Sequence, residues 1–280
     1  MRLYDAHNHL QDDRLRPHGS SAVAVSSRIG LAKMVVNGSC EDDWPEVETL
    51  ARQYPQVIPS FGYHPWYVKQ RSPQWQQALV EFLDRNPSAI GEIGLDRWIK
   101  DHDLPQQEEA FTWQVRLAAE RNLPVSIHCL QAWGRLLELL EAVPRPKCGF
   151  LLHSFGGPQE MIIPLARLGA YFSLPGYFAH ERKVRQRETF RHVPPDRLLI
   201  ETDAPDQSLP DERNEFPLVD AATGKPLNHP ANIVAVYRFA GELLGEPLEV
   251  LALRVEENFL RLFGNLANSQ VLAAAKPRTT

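Results

Sequence analysis

Leu3-Tyr4-Asp5-Ala6-His7-Asn8-His9 reads as a short strand that ends in two histidines. Successive side chains on an extended segment point to opposite faces, so His7 and His9 leave the same face with Asn8 turned away. Two neutral imidazoles that close can share one divalent ion. The same spacing also occurs on ordinary surface strands and in satisfied pairs. The choice depends on what the rest of the chain puts beside it.

Outward from this stretch, short apolar runs alternate with amphipathic segments. Strands are expected at Lys33–Ser39, Val57–His64, Ala89–Asp96, Pro124–Cys129, Cys148–Ser154, Ala170–Leu174 and Leu198–Asp203. Helices are expected at Trp44–Tyr54, Gln74–Arg85, Gln106–Arg121, around Trp133–Leu140, Gln159–Leu168 and Glu181–His192. The segment between the first two strands reads as short and helical or irregular. Apolar residues at helical spacing, such as Phe111, Val115, Ala118 and Ala119, set the helical assignments. A polar, Pro-rich stretch near Pro205–Pro230 reads as a long functional or disordered loop. A helix through Ile233–Leu244 and a last helix over Leu248–Phe263 follow. Parallel strands need helix-length connections, and eight such alternations predict a single-domain (β/α)8 TIM barrel over 1–264 with a frayed tail at 265–280. A doubly wound open sheet is the alternative, weakened by the absence of a Gly-rich phosphate fingerprint after the first strand.

The chain has 280 residues, 43% hydrophobic and 23% charged, with a net charge of −5. No global basic surface exists, so a nucleic-acid partner would need a local positive patch or bound cations. Cys40, Cys129 and Cys148 suggest no disulfide framework. No secretory leader and no membrane span are apparent, and the chain reads as cytoplasmic. The amphipathic helices are explained by barrel packing, so no obligate protein partner is expected.

Barrel chemistry sits at the C-terminal ends of the strands. There the sequence places His7 and His9, His64, Glu92 and Asp96, His128, His153 and Asp203. Each has a bland reading alone: a satisfied rim histidine for His128 or His153, a loop cap for Asp203. Glu92 lies between Ile90 and Ile93 in a strand expected to be buried, where an unpaired carboxylate is costly. One metal centre accounts for all of them together.

The set resembles the TatD-like metal-dependent hydrolases, TIM barrels of the wider amidohydrolase grouping. The resemblance is carried by His7-x-His9, Gly62-Tyr63-His64-Pro65, Gly91-Glu92-Ile93-Gly94-Leu95-Asp96, Ile127-His128, Leu152-His153-Ser154-Phe155, Glu201-Thr202-Asp203, Asn228-His229-Pro230-Ala231-Asn232 and the ending Asn258-Phe259 to Gly264. It implies two divalent ions (Zn, Mn, Fe, Ni or Mg), one held by His7, His9 and Asp203, the other by His128 and His153, with Glu92 bridging. Such a pair activates a water, and Asp203 would act as general base. Asp96 and Asn232 would support the ligands from behind. His64 is expected to contact substrate, with packing against Pro65 and Trp66 as its ordinary alternative.

The sequence departs from the family pattern near the substrate. Cys129-Leu130 stands where a Ser-Arg is common, and Cys129 reads as barrel packing. Arg97, followed by Trp98, stands where an aromatic is common, and reads as a substitute cation for substrate binding. Asp206 adds a negative charge at the mouth. The leading expectation is hydrolysis of DNA phosphodiester bonds. The alternatives are a small phosphoester, amide, ester or lactone at the same site, or a metal-binding barrel without turnover.

Overall fold

Almost every strand residue is buried on both faces, as expected for parallel strands covered by helices. The computed structural model describes the backbone of residues 1–274 and the side chains of residues 1–267. Eight strands run in chain order: β1 (Leu3–Asn8), β2 (Leu31–Asn37), β3 (Val57–Phe61), β4 (Ala89–Asp96), β5 (Val125–Leu130), β6 (Phe150–Leu152), β7 (Ala170–Pro175) and β8 (Leu198–Glu201). Each is paired in parallel with the next. The crossovers carry α1 (Gly19–Arg28), α2 (Trp44–Gln53), α3 (Trp75–Arg85), α4 (Leu104–Arg121), α5 (Trp133–Ala142), α6 (Ile162–Arg167) and α7 (Val184–Phe190). The chain continues through α8 (Ile233–Leu244) and α9 (Leu248–Ala274). This is the single-domain (β/α)8 barrel read from the sequence.

The ring closes between β8 and β1. The N–H of Asp203 donates to His7 O at 3.0 Å, and that of His9 to Ala204 O at 2.7 Å. The buried Asp5 carboxylate accepts the Thr202 N–H at 3.0 Å and its hydroxyl at 2.6 Å. The last two helices complete the seam. The Tyr237 hydroxyl of α8 accepts the Tyr4 N–H and donates to its carbonyl. Asn258 of α9 donates to the carbonyls of Pro195 and Leu198. Side chains thus satisfy backbone groups that no ladder reaches.

β3, β4 and β5 approach one another closely at glycines. Gly91 and Gly94 have φ of 152° and 153°. A Cβ on Gly94 would stand 1.9 Å from the His128 carbonyl oxygen, and one on Gly91 2.8 Å from Ser126 Cβ. The glycines of Gly91-Glu92-Ile93-Gly94 therefore let β4 lie against β5, with Glu92 on the barrel axis.

Three segments differ from the sequence reading. The long loop holds an antiparallel hairpin, β9 (Pro217–Val219) and β10 (Pro226–Asn228). Its turn is built on Asp220, whose side chain accepts from Ala222 N–H and the Thr223 hydroxyl, with Gly224 at φ 67°. Helix α9 continues past Gly264 to Ala274, where the tail was expected to begin, and residues 275–280 lie outside the described residues. Helices α6 and α7 are shorter than expected because each opens with a separate 3-10 turn. Among the described residues no helix is long and apolar enough to cross a membrane.

Candidate metal centre

Glu92 stands at the centre of the strand ends, almost wholly buried. Its Oε2 lies 3.4 Å from His7 Nε2 and 3.1 Å from His9 Nε2. Its Oε1 lies 3.1 Å from His128 Nδ1, 2.8 Å from His153 Nε2 and 3.3 Å from His64 Nε2. Asp203 Oδ1 is 3.6 Å from both His7 Nε2 and His9 Nε2. All six residues read as ligands converge. Three overlapping groups have ligand atoms mutually within 4.8 Å: His7–His153–Asp203, His7–His9–Glu92 and His64–Glu92–His128. His153 thus stands beside His7 and Asp203 as well as beside His128, and His64 joins the Glu92–His128 side.

The donors fit a cation. His9 Nδ1 faces the Asn37 carbonyl at 2.8 Å, which only accepts, so that nitrogen carries a proton and Nε2 is the one left for an ion to take. His7 Nδ1 is 2.7 Å from the Ser126 hydroxyl, and its Nε2 lies 3.2 Å from that of His9. His128 Nε2 donates to Asp96 at 3.0 Å, turning Nδ1 inward to 3.2 Å from His153 Nε2. Buried ring nitrogens facing each other in pairs, beside two carboxylates, need a proton or a metal ion between them. Imidazole and carboxylate oxygen suit Zn, Mn, Fe and Ni better than Mg.

His64 is oriented the other way. Its Nδ1 accepts the backbone N–H of Trp66 at 3.2 Å. That group can only donate, so the neutral ring carries its proton on Nε2, toward Glu92. Burial pushes His64 down to about 4, which keeps it neutral, and lowers His7 to about 3. Burial also acts to lower His9, but its bond to Glu92 and the charges of Glu92 and Asp203 prevail and raise it to about 9. Glu92 opposes burial through the surrounding histidines and stays well below the usual carboxylate range. Burial lifts Asp203 to about 7.

Asp96 lies behind His128 and also accepts the Trp66 indole N–H at 2.7 Å. Burial opposes its ionisation, yet its bonds to His128 and Trp66 hold it at about 2. Asn232 is farther back. It bonds to Asn214, Phe216 and Asn228 and to no candidate ligand. Asn228 in turn donates to Thr202 O at 2.7 Å, so Asn232 braces the loop after β8 and does not orient a ligand directly. Arg97 is exposed on the loop after β4, with no ion pair among the described residues. Cys129 is buried in the barrel wall. Asp206 is neutralised by Arg14, whose guanidinium bonds it at 2.8–2.9 Å and also pairs with Asp12.

Four supporting residues escaped the sequence reading. Ser126 holds His7, Gln207 donates to Asp203 Oδ2 at 2.5 Å, and Ser154 and Ser173 donate to the buried Glu201 beside His153. Ser126 precedes His128 by two residues and therefore shares its face, a signal that period-two alternation contains.

A family model described as TatD related DNase matches residues 4–264. The chain belongs to this family. It is 30% identical over 269 residues to the 3'-5' ssDNA/RNA exonuclease TatD of Escherichia coli K12, covering 94% of this chain and 99% of that one. It is 27% identical over 265 residues to the uncharacterized metal-dependent hydrolase YjjV of the same organism, covering 94% and 98%. The crystal structure of that YjjV superposes with a TM-score of 0.84 over 94% of this chain and 98% of its own. A TatD-family hydrolase from Entamoeba histolytica, 20% identical, shares the fold with a TM-score of 0.82 over 94% of this chain and 98% of that one. Membership in the TatD family, together with the candidate ligand groups, makes the chain a metal-dependent hydrolase.

Proposed function

We propose that the chain hydrolyses phosphodiester bonds of single-stranded DNA or RNA at a centre of two divalent ions bridged by Glu92. His7, His9 and Asp203 would hold one ion, and His128 with His153 the other. Bound there, the ions would supply Lewis acidity toward water and neutralise phosphate charge. Asp203, whose Oδ1 stands 3.6 Å from both His7 Nε2 and His9 Nε2, would accept the proton of the attacking water. Gln207 holds the other Asp203 oxygen and so fixes the direction of the accepting one. His64, neutral with its proton on Nε2, donates to a phosphate oxygen.

The observation that carries this reading is the convergence of five histidines on the two oxygens of one buried glutamate. The relatives named for ssDNA/RNA exonuclease activity support the substrate class. A local cationic segment also supports it. Arg182 and Lys183 follow β7 at the mouth and lie over the Tyr177 ring, supplying positive charge that the net composition lacks. The reading is tested with Mn-loaded protein on single-stranded DNA, RNA and a panel of small phosphoesters, amides and lactones. Cleavage of the nucleic acids that stops on chelation supports it. Turnover confined to a non-phosphate substrate overturns it.

A further inference from the structure

Two exposed indoles, Trp98 at 65% and Trp66 at 47%, follow the strand ends that carry Asp96 and His64. Both are tied to the same carboxylate. The Trp66 indole N–H donates to Asp96 Oδ2 at 2.7 Å, and the Trp98 backbone N–H donates to Asp96 Oδ1 at 2.7 Å. Asp96 Oδ2 also holds His128. The Trp66 ring stands edge-on to His64, with centroids 5.2 Å apart at 88°. The only polar atom of Trp66 is therefore committed inward while its ring stays in solvent beside the site. Leaving two indoles exposed costs hydrophobic stabilisation, and pinning one of them removes the rotamer freedom that exposure would otherwise allow.

We propose that Trp66 and Trp98 form a stacking platform for the nucleobases flanking the bond to be cut, an inference that rests on the nucleic-acid reading above. Every base has a π-face, so such a platform holds a strand without reading its sequence. Stacked bases in a duplex do not offer that face, so the platform selects single strands. Because Trp66 lies against His64, a base on it places the adjoining phosphate next to the His64 Nε2–H. The residues act on ground-state binding of the strand and leave the proton transfer to Asp203.

The test compares a short homothymidine strand with an abasic sugar–phosphate strand of the same length, and hence the same charge. Binding is read by anisotropy on chelator-treated full-length protein, and KM and kcat on Mn-loaded protein. The wild type should bind the thymidine strand about tenfold or more tighter than the abasic strand. Trp98→Ala should weaken thymidine binding about fivefold or more and raise KM, with kcat and abasic binding within about threefold, and Trp66→Ala, which also loses the bond to Asp96, should weaken thymidine binding at least as much. Trp66→Phe, which keeps a ring but loses the bond to Asp96, should recover most of the thymidine affinity. Equal losses on both strands, or a Phe variant as weak as the Ala variant, would overturn the platform, since Trp66 would then act only through Asp96 and His128. If the wild type binds and cuts neither strand, the nucleic-acid reading itself fails and the platform with it.

Discussion

The two sides of the barrel mouth use the same residue type in opposite states. On the β1–β2 side, His9 has its Nδ1 proton fixed by the Asn37 carbonyl and turns toward Glu92 the Nε2 that a metal ion would take in place of a proton. On the β3 side, His64 has its Nδ1 filled by the Trp66 N–H and turns a protonated Nε2 toward the same carboxylate. The rings lie at similar distances from Glu92, 3.1 and 3.3 Å. Proximity to the centre therefore does not decide a histidine's role. The partner of its outer nitrogen does, and that partner is a backbone group in both cases.

Four predictions press on this contrast. The largest effect belongs to the residue assigned to proton transfer. Asp203→Asn should lower kcat by about 10³-fold, within the range for a positioned general base, while the protein stays folded by circular dichroism. A loss under tenfold would move that role elsewhere.

The contrast itself is tested by a pair. His9→Ala should lose bound metal, as seen by elemental analysis. His64→Ala should keep its metal and lose about 10²-fold in kcat, the scale of one donor to developing negative charge. Loss of metal from His64→Ala would make it a ligand and erase the distinction between the two sides.

The third prediction is a pH dependence. In the metal-free protein His9 is raised to about 9, so it is protonated at neutral pH. Ligation needs the bare nitrogen, so ion binding displaces that proton and affinity climbs at least about tenfold per pH unit up to about 9. His153, where burial is outweighed by Glu92 and Glu201 and the ring is raised, gives up a proton too. The same pairing stabilises the metal-free fold below pH 6.5, and the contribution is lost as pH rises through about 9. His64 behaves oppositely: lowered to about 4, it contributes above pH 6.5 and that contribution is lost as pH falls through about 4. Calorimetry in buffers of different ionisation enthalpy reads the released proton, and a pH-independent affinity between 7 and 9 would contradict the His9 assignment. The smallest effect is expected from Ser126→Ala. It frees the outer nitrogen of His7 and should weaken metal binding about tenfold, with KM for the nucleic acid unchanged.

Much of the architecture and the cluster of candidate ligands was legible in the sequence. Eight apolar runs separated by helix-length connections specify a parallel ring, and a ring brings every strand end to one mouth. His7, His9, His64, Glu92, Asp96, His128, His153 and Asp203 could therefore be grouped without coordinates, and the resemblance to the TatD-like hydrolases singled out six of them as candidate ligands. Less legible were features set by contacts distant in sequence. The hairpin at Pro217–Asn228 was hidden because its strands are three residues long and rich in proline and polar neighbours, although Asp220 and Gly224 mark its turn. Arg14, which neutralises Asp206 across 192 positions, leaves no local signal. Neither does the Trp66 bond to Asp96, which joins the loop after β3 to the end of β4 across 30 positions. The direction of each histidine ring was also beyond the sequence, because it is set by backbone carbonyls and N–H groups whose positions only the fold supplies.

The most direct measurement is the metal content of the purified protein beside that of Glu92→Ala. The account predicts about two ions per chain in the wild type, with a sharp fall in a variant that remains folded. Equal metal in the two proteins, or none in the wild type with no activity rescued by Mn or Zn, would contradict a centre organised by Glu92.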